Sequence, residues 1–418
     1  MTHDTLTSTD QTVLPNVSGV SLDTFLSQEG TEGIRFDFTD GCRVFCPPGP
    51  QWRVCLRDIE TETILFEHHF TGGLVQSSRR SWVRFGLDVW RDDHLVFTHV
   101  CDLRGQEVFI DMSLGALGDH LAWIGQADRF RRQHGCLLTC RLKTPLAELL
   151  RDAYPDIRIY TPGDIDERSY YAAYKVCVFY NDDQGLFQPV DYRLAGLSST
   201  AAYILGLEPD AVRPRLPPSK IERPIADPYV CIATQASGQS KYWNNPEGWR
   251  TVVSFLRGLG FRVICIDQKS LHGQGLVWNH IPYGAEDQTG DRPLAERVWW
   301  LRHSAFFIGL SSGLSWLAWA AECQVVMISG FTQPFNEFYT PWRVINRNVC
   351  NGCSNDVRHQ FDPSDYFWCP RHKDTPRQFE CTKAITSSLV ISTIRRLMYE
   401  KDIPTRGIED PLINTLGQ

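Results

Sequence analysis

From Ile34 to about Leu103 the apolar residues come in short alternating or clustered runs, broken by Asp-Gly, Pro-Pro-Gly-Pro, Thr-Gly-Gly and Arg-Asp-Asp. The segments IRFDF, RVFC, WRVCLRDI, ILFEHHF, WVRFGLDVW and HLVFTHV carry the period of strands, and the breakers carry turn chemistry. This pattern predicts an N-terminal antiparallel β domain over residues 31–105, preceded by a flexible tail, residues 1–30.

The period then changes. EVFIDMS reads as a strand, LGALGD as a loop and HLAWIGQADRFRRQHG as a helix with Ala122, Ile124, Ala127 and Phe130 on its apolar face and Gly135 as its stop. Strand LLTCRL, helix LAELLRDAY and strands IRIYT and KVCVFYND follow. Strands alternating with helices predict a parallel, doubly wound sheet, here a first Rossmann-like domain over residues 106–210. The proline- and charge-rich stretch around residues 211–227 predicts a linker. A second Rossmann-like domain, residues 228–345, starts at strand YVCIATQAS. Its first helix, EGWRTVVSFLRGLG, is opened by Asn245, Pro246 and Glu247. Strand FRVICID, helix AERVWWLRHS, strand AFFIGL, loop SSG, helix LSWLAWAAE and strand QVVMISG complete it. Residues 331–382 are irregular and aromatic, with a four-cysteine segment over 346–383. An amphipathic helix from about Ala384 to Tyr399 opens the C-terminal segment 384–418. The expected fold is α/β, two Rossmann-like domains with a ligand cleft at the carboxyl ends of their strands.

Composition narrows the function classes. The 418 residues have a formal net charge of −7, which argues against a nucleic-acid partner. No apolar run reaches the roughly 20 residues of a membrane helix, and the polar, acidic N-terminus lacks the features of a secretory signal. A cytoplasmic location without a transmembrane segment is expected. Among the 14 cysteines, Cys177, Cys231 and Cys265 sit singly in apolar segments and read as small buried hydrophobes.

Four places carry candidate chemistry. Ser113 to His120 runs from a strand into a helix; its glycines permit close backbone approach, and Asp119 is either a helix cap or a general base. Lys241 lies between a strand end and a helix start, where a cation suits a pyrophosphate. Gly309 to Trp316 is a second strand–loop–helix turn that offers backbone N–H groups to phosphate. Cys350, Cys353, Cys369 and Cys381 have the look of a tetrahedral site for zinc or iron, with His359 and His372 nearby as substitute ligands. Four thiolates leave no open position, so a structural role is expected.

Taken together, the first three places resemble the ADP-heptose-dependent heptosyltransferases. LGALGDH resembles that family's S-L-G-D loop, KYWNNPEGW its K-x-W-P-x-x-x-W stretch, and SSGLSWLAWA its D-T-G-L-S-H-L-x-A-A stretch. Two departures stand out: Ser311 replaces an Asp and Trp316 a His. The β-rich N-terminus and the four cysteines are similar to a sister group, the bacterial autotransporter heptosyltransferases. The resemblance implies a GT-B enzyme that transfers heptose from ADP-heptose to serine hydroxyls of autotransporter adhesins. It implies Asp119 as base, with Leu117, Gly118 and His120 shaping the acceptor-side loop. Donor contacts would come from Lys241, Ser311, Ser312, Gly313 and Leu314, and from Glu286 in a looser match of YGAE to a ribose-binding segment. It further implies a structural iron held by the four cysteines (zinc stays open), no catalytic divalent metal, and a homo-oligomer of up to twelve copies. Cys350→Ser is then expected to lose metal, and with it stability or assembly, without direct damage to the donor site. Three other readings compete: a lipopolysaccharide-core heptosyltransferase, a non-catalytic GT-B scaffold, and an oxidoreductase, the last without any dinucleotide fingerprint. Phe335, Phe338, Tyr339, Tyr366, Phe367 and Trp368 are expected either to pack the cysteine segment or to form an oligomer or acceptor surface.

Overall fold

The structure, a computed structural model, describes residues 26–164 and 169–405, so most of the expected N-terminal tail and the last residues of the C-terminal segment lie outside the described residues. Eight strands come first: β1 (Gln28–Glu29), β2 (Arg35–Thr39), β3 (Arg43–Cys46), β4 (Trp52–Asp58), β5 (Thr63–Phe70), β6 (Gly73–Gln76), β7 (Phe85–Arg91) and β8 (His94–Val100). β4, β5, β7 and β8 form an antiparallel sheet in the order β5-β4-β7-β8. Its alternating side chains bury Trp52, Val54, Leu56, Leu87 and Val89.

The remaining N-terminal strands do not stay in a domain of their own. After them come β9 (Glu107–Asp111), α1 (Leu117–His134), β10 (Leu137–Arg141), α2 (Thr144–Leu150), β11 (Ile157–Tyr160), β12 (Ala172–Lys175) and α3 (Leu197–Ile204). β12 pairs in parallel with β9 on one side and with β2 on the other. The sheet therefore runs β11-β10-β9-β12-β2-β3-β6, with β1 on β2, and crosses the boundary drawn at residue 105. Pairing between β2 and β12 joins segments more than a hundred residues apart, which local periodicity does not reveal. The strand expected at KVCVFYND also ends earlier: β12 stops at Lys175, and Cys177 lies in the loop beyond it.

The second half comprises β13 (Tyr229–Ile232), α4 (Gly248–Gly258), β14 (Arg262–Cys265), β15 (Leu271–Gln274), β16 (Val277–His280), β17 (Glu286–Asp287), α5 (Leu294–His303), β18 (Phe307–Leu310), α6 (Gly313–Ala320), β19 (Val325–Ile328) and β20 (Arg343–Val344). Its sheet is parallel in the order β17-β14-β13-β18-β19-β20. The short hairpin β15–β16 stands apart from it. Finally α7 (Glu380–Lys383) and α8 (Ser387–Glu400) close the chain. α8 buries Val390, Ile394, Leu397 and Met398 in the same core as α4 and β14, so it packs as part of the second half. Among the described residues no helix is long and apolar enough to cross a membrane.

Candidate functional site

Numbered within its own unit, the second sheet has the strand order 3-2-1-4-5-6, and the first begins with the same 3-2-1-4. In such sheets the crevice opens where the order reverses, between strands 1 and 4, at their carboxyl ends. The loops after β9 and β12 in the first half, and after β13 and β18 in the second, leave from those two points. They carry Ser113–Ala116, Cys177–Tyr180, Lys241 and Ser311–Ser312. Three of the four candidate places in the sequence therefore lie at switch points.

α1 begins at Leu117, three residues earlier than the sequence pattern suggests, which places Asp119 inside the first turn. Asp119 Oδ2 accepts the Ala116 N–H at 2.7 Å, closing the turn. The turn engages Oδ2 alone and leaves Oδ1 outside that bond, so capping and base functions are compatible on one carboxylate. The buried ring of His120 bridges its surroundings through both nitrogens, Nδ1 to the Ala116 carbonyl at 2.8 Å and Nε2 accepting the Lys143 N–H at 3.3 Å. A ring that donates from one nitrogen and accepts at the other is neutral, and burial pulls its pKa down. His120 thus fixes the turn.

Opposite stands Lys241, at the end of a single helical turn, Gln239–Lys241, after β13. Its ammonium lies 5.3 Å from the centre of the Phe331 ring. Burial lowers its pKa from the ordinary lysine value, while the negative charges of Asp119 and Glu337 raise it again. Lys241 therefore feels the charge of a carboxylate from each half of the molecule. Ser312 caps α6. Its own N–H is spent on the Leu310 carbonyl at 2.7 Å, so the expectation that Ser312 offers a backbone donor is corrected. The Gly313 and Leu314 N–H groups, in the first turn, have no intrahelical acceptor. The Ser311 hydroxyl is turned away into a bond with Glu337 at 2.5 Å. Glu286 is not part of this group: Arg262 holds its carboxylate at 2.7 and 2.5 Å and lowers its pKa. Glu337 was not legible as a site residue, because nothing in the irregular segment 331–382 marks it.

The two helix starts touch. A Cβ on Gly313 would lie 2.8 Å from Leu117 Cβ and 3.1 Å from the Gly118 backbone nitrogen, and one on Gly118 would lie 2.8 Å from Trp316 Cδ1. Trp316 itself is buried edge-on against Trp319 and Phe338. Gly313→Ala is expected to lower Tm by several degrees, because overpacking against backbone costs about 1–3 kcal/mol. Differential scanning calorimetry checks this; an unchanged Tm would mean that the two turns separate freely.

The cysteine segment forms a small core of its own around Phe331, Cys353 and Trp368. Cys350 and Cys353 Sγ are 3.9 Å apart, close to the roughly 3.8 Å edge of a tetrahedron with metal–sulfur bonds of about 2.3 Å. The Cys381 thiol, pushed up to about 12 by burial, also feels Cys350 and Cys369, and Cys353 is raised by burial and by Cys350. Arg371 Nη1 donates to Cys350 Sγ at 3.6 Å. A second grouping shares one of these thiols: Cys350, His372 and Glu380 present ligand atoms within 4.8 Å of one another. Glu380 is already held by Arg377 through both oxygens at 2.7 Å. His359 instead lies beside Asp356 and Arg371. Of the aromatic residues, Phe338 and Trp368 are buried, whereas Phe335 and Tyr339 are exposed.

This segment touches both lips of the cleft. Arg193 donates to the Val357 carbonyl at 3.1 Å, and Gln360 reaches the Tyr180 carbonyl and Asn181 on the loop after β12. On the other side the Gln239 N–H donates to the Tyr366 carbonyl at 2.8 Å, and Asn244 donates to Thr382 at 2.8 Å.

Comparison with known proteins gives concordant matches. Residues 30–93 match the family model described as glycosyltransferase TibC, N-terminal domain. The autotransporter heptosyltransferase BAHTCr of Citrobacter rodentium is 48% identical over 89% of this chain and 90% of its own length. The crystal structure of the dodecameric iron-containing heptosyltransferase TibC, in complex with ADP-D-β-D-heptose, superposes with a TM-score of 0.87 at 45% identity, covering 91% of this chain and 100% of that one. The inactive autotransporter heptosyltransferase BimC of Burkholderia thailandensis is 43% identical over 88% of this chain and 86% of its own length.

Proposed function

The chain belongs to the autotransporter heptosyltransferases, and from that premise we propose that it moves heptose from ADP-heptose to serine hydroxyls of an autotransporter adhesin on a GT-B scaffold. The observation that carries the reading is the contact of the α1 start, which carries Asp119, with the open start of α6, with Lys241 near enough to feel the Asp119 charge. Asp119 Oδ1 takes the proton of the acceptor hydroxyl, the serine oxygen bonds to the anomeric carbon, and the bond from that carbon to the diphosphate breaks. Lys241 and the Gly313 and Leu314 N–H groups carry the charge that develops on departing ADP. Such donors aimed at the leaving group fulfil the role of a divalent ion, so no catalytic metal is part of the proposal.

Cys350 and Cys353 have the spacing of two ligands of a tetrahedral metal, and we assign Cys350, Cys353, Cys369 and Cys381 as its ligands, one ion per chain. Iron is favoured because TibC is an iron-containing relative; held by these residues, it would crosslink the segment and would take no part in the transfer. Every cysteine of the chain is free, which suits a reducing cytoplasm. Edge strands β5 and β8 leave Ile64 and Leu95 exposed, a surface suited to further copies of the chain, as in the dodecamer of TibC.

Intact-mass measurement of a serine-rich autotransporter passenger, incubated with this protein and ADP-heptose, tests the proposal. A ladder of heptose-sized increments is expected. ADP-heptose binding with no increment would place the chain with inactive members such as BimC.

A further inference from the structure

Beneath the start of α6 lies a closed polar cluster that the transfer reaction has not yet used. Glu337 and Arg343 form an ion pair whose side chains are 2% and 8% exposed. Glu337 Oε1 accepts from Ser311 Oγ at 2.5 Å and from Asn336 Nδ2 at 3.0 Å. Its Oε2 accepts from Arg343 Nη2 and, at 3.2 Å, from Thr332 Oγ1. Four donors fill the acceptor capacity of the carboxylate, so none is left for a substrate hydroxyl. Two polar atoms of residues flanking this cluster are buried and have no hydrogen-bond partner: Ser312 Oγ, next in the chain to Ser311, and Arg343 Nη1, on the guanidinium paired with Glu337. Orphaned donors of this kind are costly unless a ligand satisfies them.

We propose that Glu337 is a positioning residue for the donor diphosphate: by gripping Ser311 on one side and Arg343 on the other, it presets the turn from Ser311 to Leu314 that receives the phosphates. The proposal rests on the donor-site reading of Lys241 and the α6 start given above.

Stability alone does not account for the pair. Burying two charges costs several kcal/mol of desolvation, and an apolar pair of similar volume commonly serves stability as well or better. The carboxylate does two things an apolar residue cannot. It accepts the Ser311 hydroxyl, which fixes the residue before the α6 cap. It also adds a negative charge that Lys241 feels and so favours the ammonium form that binds phosphate. The anchor comes from the loop after β19, and the turn it anchors follows β18, the neighbouring parallel strand. The diphosphate then meets donors already in place and pays no reorganisation on binding.

Calorimetric titration of ADP and AMP into wild type, Lys241→Ala, Glu337→Gln and Ser311→Ala, with Tm recorded for each, tests this. Ser311→Ala removes one anchor and leaves the Glu337–Arg343 pair intact, so its fold is kept even if Glu337→Gln, which strands Arg343, loses its melting transition. ADP is expected to bind Ser311→Ala about tenfold more weakly, as for one misplaced hydrogen bond to a charged group, while AMP, which lacks the second phosphate, changes little. Wild-type ADP affinity in Ser311→Ala, with Lys241→Ala impaired, overturns the proposal and leaves the donor site standing. Equal loss of ADP and AMP in Ser311→Ala also overturns it, since that is general disruption. Wild-type ADP affinity in Lys241→Ala removes the donor-site reading itself.

Discussion

Asp119→Asn is expected to lower kcat by about a thousandfold, within the range for a lost general base, and to leave Tm nearly unchanged. The two halves of that expectation come from the two oxygens. Oδ2 closes the first turn of α1 on the Ala116 N–H, and an asparagine carbonyl oxygen can accept the same bond. Loss of a helix cap, about 1 kcal/mol, therefore belongs to Asp119→Ala and not to Asp119→Asn. The amide has no basicity with which to take a serine proton, so the rate falls with the fold intact. Donor affinity should hold or improve, because a negative charge near the diphosphate has gone. Lys241, however, loses one of the two carboxylates that sustain its charge, so ADP binding in the variant should fail at a lower alkaline pH than in wild type. Single-turnover transfer and ADP titration across pH measure both effects. A variant that transfers heptose at the wild-type rate would leave Asp119 as a helix cap and nothing more.

The places where the sequence could be read, and where it could not, divide along physical lines. β9, β13 and β18 are short apolar runs followed at once by small residues and a helical period, and each stood out in the chain. The strand order that sets their ends at the two switch points does not follow from periodicity, yet the loops leading to Asp119, Lys241 and Ser312 leave from those points. β2 was legible as a strand but not as the neighbour of β12, because that pairing closes a long loop. The helical pattern starts three residues late, at His120, because Leu117 and Gly118 carry no helical signature; their helical conformation is set by the Asp119 cap and by contact with Gly313. Glu286 drew attention by its surrounding motif, whereas its real partner, Arg262, is fixed by the parallel pairing of β14 with β17. Glu337 illustrates the converse. Ser311 stands where related enzymes resemble one another in carrying an Asp, and the structure supplies a carboxylate at 2.5 Å from its hydroxyl, out of a segment without recognisable pattern.

Cys353→Ser is expected to remove the bound metal, lower Tm by ten degrees or so, and weaken ADP binding as well. A structural metal contributes on the order of 10 kcal/mol to the segment it crosslinks, and among the described residues that segment buries only a small apolar core around Phe331, Cys353 and Trp368. Without the ion, burial keeps the Cys381 thiol protonated, and a neutral thiol supplies no crosslink. The sequence-based expectation is that the donor site escapes direct damage; the hydrogen bonds of the segment lead to the opposite prediction. The turn that presents Lys241 hangs from the segment through the Gln239 N–H on the Tyr366 carbonyl, and Phe331, whose ring faces Lys241, lies in the core the metal would close. The acceptor side is tied in through Arg193 and Gln360. Loosening the segment therefore frees both lips at once, and the loss should appear in donor affinity and in turnover together, unlike Asp119→Asn. Metal analysis, calorimetry and ADP titration on one preparation decide the matter. Unchanged metal content in Cys353→Ser would remove the ligand assignment. Metal loss with wild-type ADP affinity would show that the Lys241 turn keeps its shape without the segment, and that the metal serves stability or assembly alone.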